Sequence, residues 1–202
     1  GLCLAHALIH SPLAGRSILI VDRDDKDQND RTWAYWSTEP SPFESIVQRR
    51  RTTLRFAAAG RPAVGTLNTA DWHYAMIRGD DFYRHMRNEL AARPEVTWIK
   101  AVVKRIEDGA DAATVWLDVD GAGNAPWQPH HGTWVFDSLF NIHKFEPDPA
   151  RYRYLKQCFK GWFIETPEDA FDASQATIFD FRTPQAGEMR FFYVLPTSPR
   201  AA

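Results

Sequence analysis

The amino-acid sequence predicts a mixed α/β fold with an α+β tendency, in which a parallel βαβ unit is combined with antiparallel sheets. Three observations predict it: a helix pattern followed by an apolar run near the N-terminus, alternating strand patterns through the middle, and aromatic-rich segments towards the end. Of the 202 residues, 44% are hydrophobic and 13% aromatic. This composition can form a core and excludes the disordered class.

The first 36 residues have the pattern of the second half of a dinucleotide-binding βαβ unit. Small and apolar residues predict a helix over residues 1–10, and Gly1 and Ala5 would let it approach a strand closely. Residues 18–21 predict a parallel strand covered on both faces. Asp22 ends that strand and can accept hydrogen bonds from a ribose, while Gly1 stands where the third glycine of G-x-G-x-x-G would be. An ordinary βα pair is the alternative.

Both ends of the chain resemble cut points. The sequence starts at a glycine instead of an initiator methionine, inside the predicted helix, and residues 199–202 carry no natural end signal. We therefore expect a fragment of a longer protein.

Charge and cysteine content restrict the partners and the compartment. The net charge of −2 provides no global basic field, so we expect no nucleic-acid partner. Cys3 and Cys158 are far apart, which argues against a disulfide framework and fits a reducing, cytoplasmic compartment. No run of eighteen apolar residues exists to span a membrane.

The end of the charged segment 24–33 is unusual, because a loop rarely carries several aromatic residues. Arg31 could pair with a phosphate or with Asp30, and Trp33 could pack against a flavin or seed a core. The basic run Arg49–Arg51 is read as a solvated strand entry, with a contact to anionic lipid or phosphate as the alternative.

The rest of the chain predicts one further helix and many strands. The helix begins at Asp80 or Asp81 and runs to about residue 92, with core residues at helical spacing, namely Phe82, Tyr83, Met86 and Leu90. Adjacent His130 and His131 have no partner at ligand spacing, so we expect no metal site. Predicted strands cover residues 52–56, 62–67, 72–77, 96–99, 102–106, 113–119, 134–138, 159–165, 176–181 and 189–196.

Several short segments together carry a family resemblance through their order and spacing. With them, the chain resembles the bacterial lycopene β-cyclases over nearly all of its length, which we expect to be about the first half of a family member. The segments are Asp-Arg-Thr-Trp at 30–33, Met-Ile-Arg-Gly-Asp-Asp-Phe-Tyr at 76–83, Phe-Asp-Ser at 136–138, Phe-Lys-Gly-Trp at 159–162, Asp-Phe-Arg at 180–182 and Phe-Tyr-Val-Leu-Pro at 192–196.

The resemblance implies a flavoprotein of carotenoid biosynthesis. Family members convert the linear ψ-ends of lycopene into β-ionone rings, an isomerisation that needs reduced FAD with NAD(P)H as the reductant. The implied fold is an incomplete Rossmann-like FAD-binding domain at residues 1–50 and 97–142, interleaved with a β-rich substrate domain at 51–96 and 143–202. Because lycopene dissolves in bilayers, peripheral contact with the inner membrane is also implied.

Matching positions give the expected cofactor residues, which are Gly1, Asp22, Arg31, Trp33, Asp137 and Ser138. Asp137 could lie near the flavin's ribityl chain or simply cap a turn. The family's essential acid is expected beyond Ala202, so we assign no catalytic residue and expect the isolated chain neither to bind FAD nor to catalyse. Two alternatives stay open: a related FAD-dependent oxidoreductase of isoprenoid reductase or hydroxylase type, and a non-catalytic fragment.

Overall fold

The computed structural model describes residues 1–60, 65–139, 147–153 and 155–202, and within them it is built mostly of strands with two α-helices. This is the predicted mixed α/β character with an α+β tendency. The chain forms two compact units. The first unit comprises Gly1–Asp27 and Tyr83–Lys156, and the second comprises Gln28–Phe82 and Gln157–Ala202. The functional domain boundaries given above, and the Rossmann-like assignment, stay predictions.

The elements follow one another along the chain in the order below, with the longest connection, residues 133–174, between the tenth and eleventh strands. The helices are α1 (Leu2–Ile9) and α2 (Gly79–Ala91), with a short 3₁₀ turn at Glu44–Ile46. The strands are β1 (Ile18–Asp22), β2 (Thr32–Ser37), β3 (Arg49–Arg51), β4 (Thr53–Ala57), β5 (Gly65–Asn68), β6 (His73–Arg78), β7 (Val96–Lys100), β8 (Val102–Glu107), β9 (Ala113–Asp118), β10 (Gln128–Gly132), β11 (Gln175–Asp180) and β12 (Phe192–Val194).

The first unit combines a parallel strand pair with an antiparallel sheet. Strand β1 runs parallel to β7, with Ile18 opposite Val96, and β9 lies between β8 and β10. The predicted first helix and first strand are thus confirmed, as is the parallel pairing. The expectation that both faces of β1 are buried is wrong, because Leu19 is 40% exposed.

The second unit contains two sheets around one core. Strand β6 lies between β2 and β3, and the other sheet has the order β12-β11-β4-β5, in which β11 is parallel to β4. Core residues from these strands are Leu54, Tyr74, Ala176 and Ile178, with Ala34, Phe56 and Leu195 packed against them. The predicted pairing of residues 52–56 with 62–67 is found as the antiparallel pair β4–β5, although residues 61–64 lie outside the described part of the chain.

Two predicted strands are wrong, and strands β2 and β10 were not predicted. Residues 134–138 form no strand, and Trp134 there is 81% exposed. Residues 159–165 contain only one isolated bridge, between Glu165 and Ala201. Aromatic residues have high strand propensity, but a strand also requires a neighbour to pair with. Conversely, β10 forms from a polar sequence because β9 offers it a paired edge.

Helix α2 confirms the predicted apolar face, since Phe82, Tyr83, Met86 and Leu90 are all buried. Helix α1 buries only Ala5 and Ile9. Neither described helix has the length and apolar character needed to cross a membrane.

Candidate functional site

Two of the segments that carry the family resemblance meet at the pairing of β2 with β6. Thr32 lies opposite Arg78, and Trp33 lies opposite Ile77 in this antiparallel register. Directly paired residues in such strands have their Cα atoms within about 5.5 Å of each other. The segment at 30–33 is therefore held against the segment at 76–79, and we call this junction the β2–β6 site.

Gly79 sets how closely the two segments approach. Its backbone N–H donates to the carbonyl oxygen of Arg31 at 2.8 Å and to Oδ1 of Asn29 at 3.0 Å. A Cβ atom on residue 79 would lie 2.8 Å from the Arg31 carbonyl oxygen. Any larger residue would push the start of α2 away from β2. Position 79 therefore requires glycine, because the backbone of Arg31 occupies the space of a side chain.

Charged groups at the β2–β6 site are paired with one another. Arg78 Nη2 lies 2.9 Å from an Asp80 carboxylate oxygen, and Arg31 Nε lies 3.1 Å from Asp30. Gln48 donates to Asp81 at 2.7 Å. Asp80 and Asp81 sit in the first turn of α2, where negative charge is favourable. Arg31 thus pairs with Asp30, one of its two expected partners, while its side chain is still 60% exposed.

An aromatic cluster covers the same junction. The ring of Trp33 meets the ring of Phe82 edge-on with a centroid distance of 4.9 Å, and Phe43 meets Phe82 edge-on at 5.2 Å. Edge-to-face contacts of this kind stabilise packing beyond the burial of area. Trp33 therefore packs against other aromatic residues, which is one of the two roles predicted for it. Its contact with a flavin stays a prediction.

Asp22 and Gly1, two of the expected cofactor residues, both lie in the first unit. Asp22 ends β1, accepts a hydrogen bond from the N–H of Asp24 at 3.0 Å, and lies 3.4 Å from Lys26 Nζ. Gly1 precedes α1, whose N-terminus has no side-chain cap. Contact of either residue with a dinucleotide stays a prediction.

The expected reason for a glycine at position 1 is wrong. A Cβ atom there would meet no described atom within 4 Å, so close packing on a strand does not require it. Ala5, one turn later, is 3% exposed and is the residue of α1 that packs closely.

Asp137 and Ser138 lie in an exposed stretch and not at the end of a strand. The Asp137 carboxylate accepts a hydrogen bond from the N–H of Leu139 at 2.7 Å, which is the turn-capping role considered for it. Their contact with a cofactor stays a prediction.

A charged cavity of about 230 Å³ opens on the second unit beside β4 and β11. Its charged lining consists of Arg55, Asp172, Asp180 and Arg182. Hydrogen bonding from Arg182 holds the pKa of the Asp180 carboxyl below its ordinary value, against the smaller opposing effect of burial. Such a lining suits a polar ligand and disfavours a hydrocarbon.

Four phenylalanines form a second aromatic cluster in the second unit, and we call them the phenylalanine cluster. Phe179 and Phe181 stack at 5.7 Å, while Phe191 meets both edge-on at 5.0 and 5.6 Å, and Phe56 lies 6.0 Å from Phe179. Phe179 is 37% exposed. The cluster thus offers accessible aromatic surface to an apolar or cationic group.

Arg51 is a buried cation that the sequence did not reveal. It is only 2% exposed, so the predicted solvated strand entry is wrong at this position. Its Nη2 donates to the Pro196 carbonyl, whereas Nε and Nη1 have no partner within the described part of the chain. Burial, and to a smaller degree the nearby charge of Arg49, lowers the pKa of the guanidinium. Arg51 thereby ties β3 to the segment at 192–196.

Comparison with known proteins identifies the family. A family model described as lycopene cyclase protein matches residues 1–202. A search of curated proteins found no match. Because the family model spans the entire sequence, the chain belongs to the lycopene cyclase family.

Proposed function

We propose that the protein that carries this sequence acts in lycopene β-cyclisation, converting the linear ψ-ends of lycopene into β-ionone rings in carotenoid biosynthesis. The observation that carries the proposal is the match of the lycopene cyclase family over residues 1–202. The reaction is an isomerisation: a proton adds to the terminal double bond, the resulting cation closes the ring, and another proton leaves. Atoms and electrons balance without an external oxidant.

The chemistry requires an apolar surface that tolerates positive charge. The phenylalanine cluster of Phe56, Phe179, Phe181 and Phe191 supports the proposal, because the faces of aromatic rings attract cations. In contrast, the charged cavity beside β11 would bind a polyene poorly. The phenylalanine cluster is therefore our candidate contact for a carotene end group.

We also propose that the protein uses FAD in its reduced form, with NAD(P)H as the reductant. The carboxylate of Asp22 would accept hydrogen bonds from the adenosine ribose, and the N-terminus of α1 at Gly1 would face the phosphates. Arg31, Trp33, Asp137 and Ser138 are the further proposed cofactor residues. When bound, reduced flavin supplies electron density that stabilises positive charge nearby.

Product analysis tests the proposed reaction. The protein that carries this sequence is incubated with lycopene, FAD and NAD(P)H, and the carotenoid is examined by chromatography and mass spectrometry. We expect a cyclic product of unchanged mass, with deuterium incorporated when the reaction is run in D₂O. A reduced or hydroxylated product would instead support an FAD-dependent oxidoreductase, and unchanged lycopene would support a non-catalytic role.

Asp22 provides a direct test of the cofactor proposal. We expect Asp22→Ala to weaken FAD binding by about tenfold or more, because a hydrogen bond to a charged group contributes about 1.5–3 kcal/mol. Asp24→Ala is the matched control: it removes the same charge two residues away and should change the dissociation constant by less than about twofold. Fluorescence titration measures both, and equal effects of the two substitutions would contradict the proposed role of Asp22.

We further propose a cytoplasmic protein that contacts the inner membrane peripherally. Residues 159–164 expose several apolar side chains, with Phe159 at 74%, Trp162 at 61% and Phe163 at 78%. Lys160 Nζ lies 5.3 Å from the centroid of the Trp162 ring. Aromatic and basic side chains together are typical of segments that sit at a lipid headgroup boundary.

A further inference from the structure

A cluster of two histidines and one glutamate joins α1 to α2 within the first unit. His6 Nδ1 lies 2.8 Å from Glu89 Oε2, and His10 Nε2 lies 2.8 Å from Glu89 Oε1. Ligand atoms of the three side chains all lie within 4.8 Å of one another. We propose that His6, His10 and Glu89 form a binding site for Zn²⁺ that links the two helices.

The helical spacing presents both imidazoles to the same ion. His6 and His10 are four residues apart on α1, so they share one face, and their ring centroids are 4.7 Å apart. Two imidazoles and one carboxylate are the donor set of zinc sites that keep one coordination position open for water. Ala7 follows His6, where zinc proteases of the H-E-x-x-H type carry glutamate, so the proposal is binding and not hydrolysis.

To accept the ion, the donor atoms, which now lie within 4.8 Å of one another, must move to a common separation. Tetrahedral bonds of about 2.0–2.1 Å to zinc put donor atoms about 3.3 Å apart, so the present 2.8 Å contacts would widen by about half an ångström. The His10 side chain is 48% exposed, which gives it freedom to rotate and leaves a path for the ion. Ala5 and Ile9 are buried and hold the helix that carries both rings.

Binding of the ion changes where the imidazole protons lie. In the present hydrogen bonds a ring N–H donates to the carboxylate, whereas a metal requires the lone pair of that nitrogen. The proton must therefore move to the other ring nitrogen or leave to solvent.

The site departs from the expectation of no metal site in the sequence analysis. That expectation weighed histidines that are neighbours in sequence. Here the third ligand lies on another helix, 79 residues after His10, and only the packing of the helices brings it close.

Cobalt and zinc titrations test the proposal directly. The background is Cys3→Ser/Cys158→Ser, because both thiols are exposed and would bind either metal on their own. We expect Co²⁺ to bind with a stoichiometry of one, to give visible d–d bands without thiolate charge-transfer absorption, and to be displaced by Zn²⁺. Saturating Zn²⁺ should raise the unfolding midpoint by about 5 °C.

Single substitutions assign the ligands. We expect His10→Gln and Glu89→Gln each to weaken Zn²⁺ binding by about tenfold or more. His131→Gln is the matched control, since it removes an exposed imidazole on β10, and it should leave the affinity unchanged. Circular dichroism checks that each variant is folded; His10, the most exposed ligand, is the least disruptive to replace. Equal affinities for Glu89→Gln and the unsubstituted background, or no binding in that background, would overturn the proposal.

Discussion

At position 79 the backbone passes so close to residue 31 that a side chain has no room. The N–H of Gly79 donates to the Arg31 carbonyl, and that same oxygen occupies the space a Cβ atom would need. In the sequence, this glycine is recognisable only as part of the segment at 76–83. The reason for it is visible only once β2 and β6 are paired.

We expect Gly79→Ala to lower the free energy of unfolding by about 1–3 kcal/mol, because the added methyl group forces backbone to move. Gly161→Ala is the matched control, since a Cβ atom there would meet no described atom within 4 Å. Urea unfolding measures both substitutions. The proposed close contact is contradicted when the two variants lose the same stability.

Asp180 is expected to make the fold sensitive to acid. The Arg182 hydrogen bond lowers the pKa of the folded carboxyl, so Asp180 stabilises the fold above the unfolded pKa of about 3.9 and stops doing so as pH falls through the folded value. We expect Asp180→Asn to be less stable than wild type near neutral pH. The difference should shrink as pH falls below about 3.9 and through the lower pKa of the folded carboxyl.

Urea midpoints over a pH series check this expectation, and Arg182→Gln should flatten the acid dependence in the same way as Asp180→Asn. A stability difference that stays constant with pH would show that the two side chains do not interact through the carboxylate charge.

At the scale of elements, helical periodicity was the most reliable signal in the sequence. Phe82, Tyr83, Met86 and Leu90 repeat at the spacing of one helix face, and all four are buried in α2. Aromatic content was less reliable. Residues 134–138 and 159–165 are rich in aromatic side chains, yet no described strand forms there, because propensity does not supply a pairing partner.

We expect Met86→Ala to destabilise the protein by about 2–5 kcal/mol, because Met86 has no exposed surface and its removal leaves a cavity. Asn88→Ala lies two residues away on the exposed side of α2 and should change stability by about 0.5 kcal/mol or less. Thermal or urea unfolding followed by circular dichroism compares the two. A similar loss in both variants would mean that the helix face is assigned wrongly.

At the scale of the whole molecule, the sequence predicted the family and the mixed α/β fold class. It did not predict which distant strands pair. Strand β11 lies parallel to β4, although more than a hundred residues separate them. No local pattern encodes such a pairing, since it depends on which edges become available after the hairpin forms. The burial of Arg51 follows from the same long-range assembly, as Pro196 is its hydrogen-bond partner.

Net charge determines what kind of membrane contact the molecule can make. A chain with a net charge of −2 gains little from anionic lipid, so apolar contact must supply the affinity. We expect binding to zwitterionic vesicles in flotation assays, with no increase when anionic lipid is added. Phe163→Asp should weaken binding, because Phe163 is 78% exposed within residues 159–164.

Met189→Asp is the matched control for that assay. Met189 is 80% exposed but lies outside residues 159–164, so its replacement should leave vesicle binding unchanged. Equal losses from both substitutions would point to general surface apolarity, and strong dependence on anionic lipid would contradict an apolar contact.

The histidine pair on α1 also has a practical consequence. Two imidazoles one helical turn apart, one of them 48% exposed, can chelate an immobilised nickel ion in the manner of an engineered affinity tag. The untagged protein would then be retained on a nickel resin and eluted by imidazole or mild acid. A purification scheme that relies on tag removal would have to account for this retention, and the same property would allow native protein to be enriched without a tag.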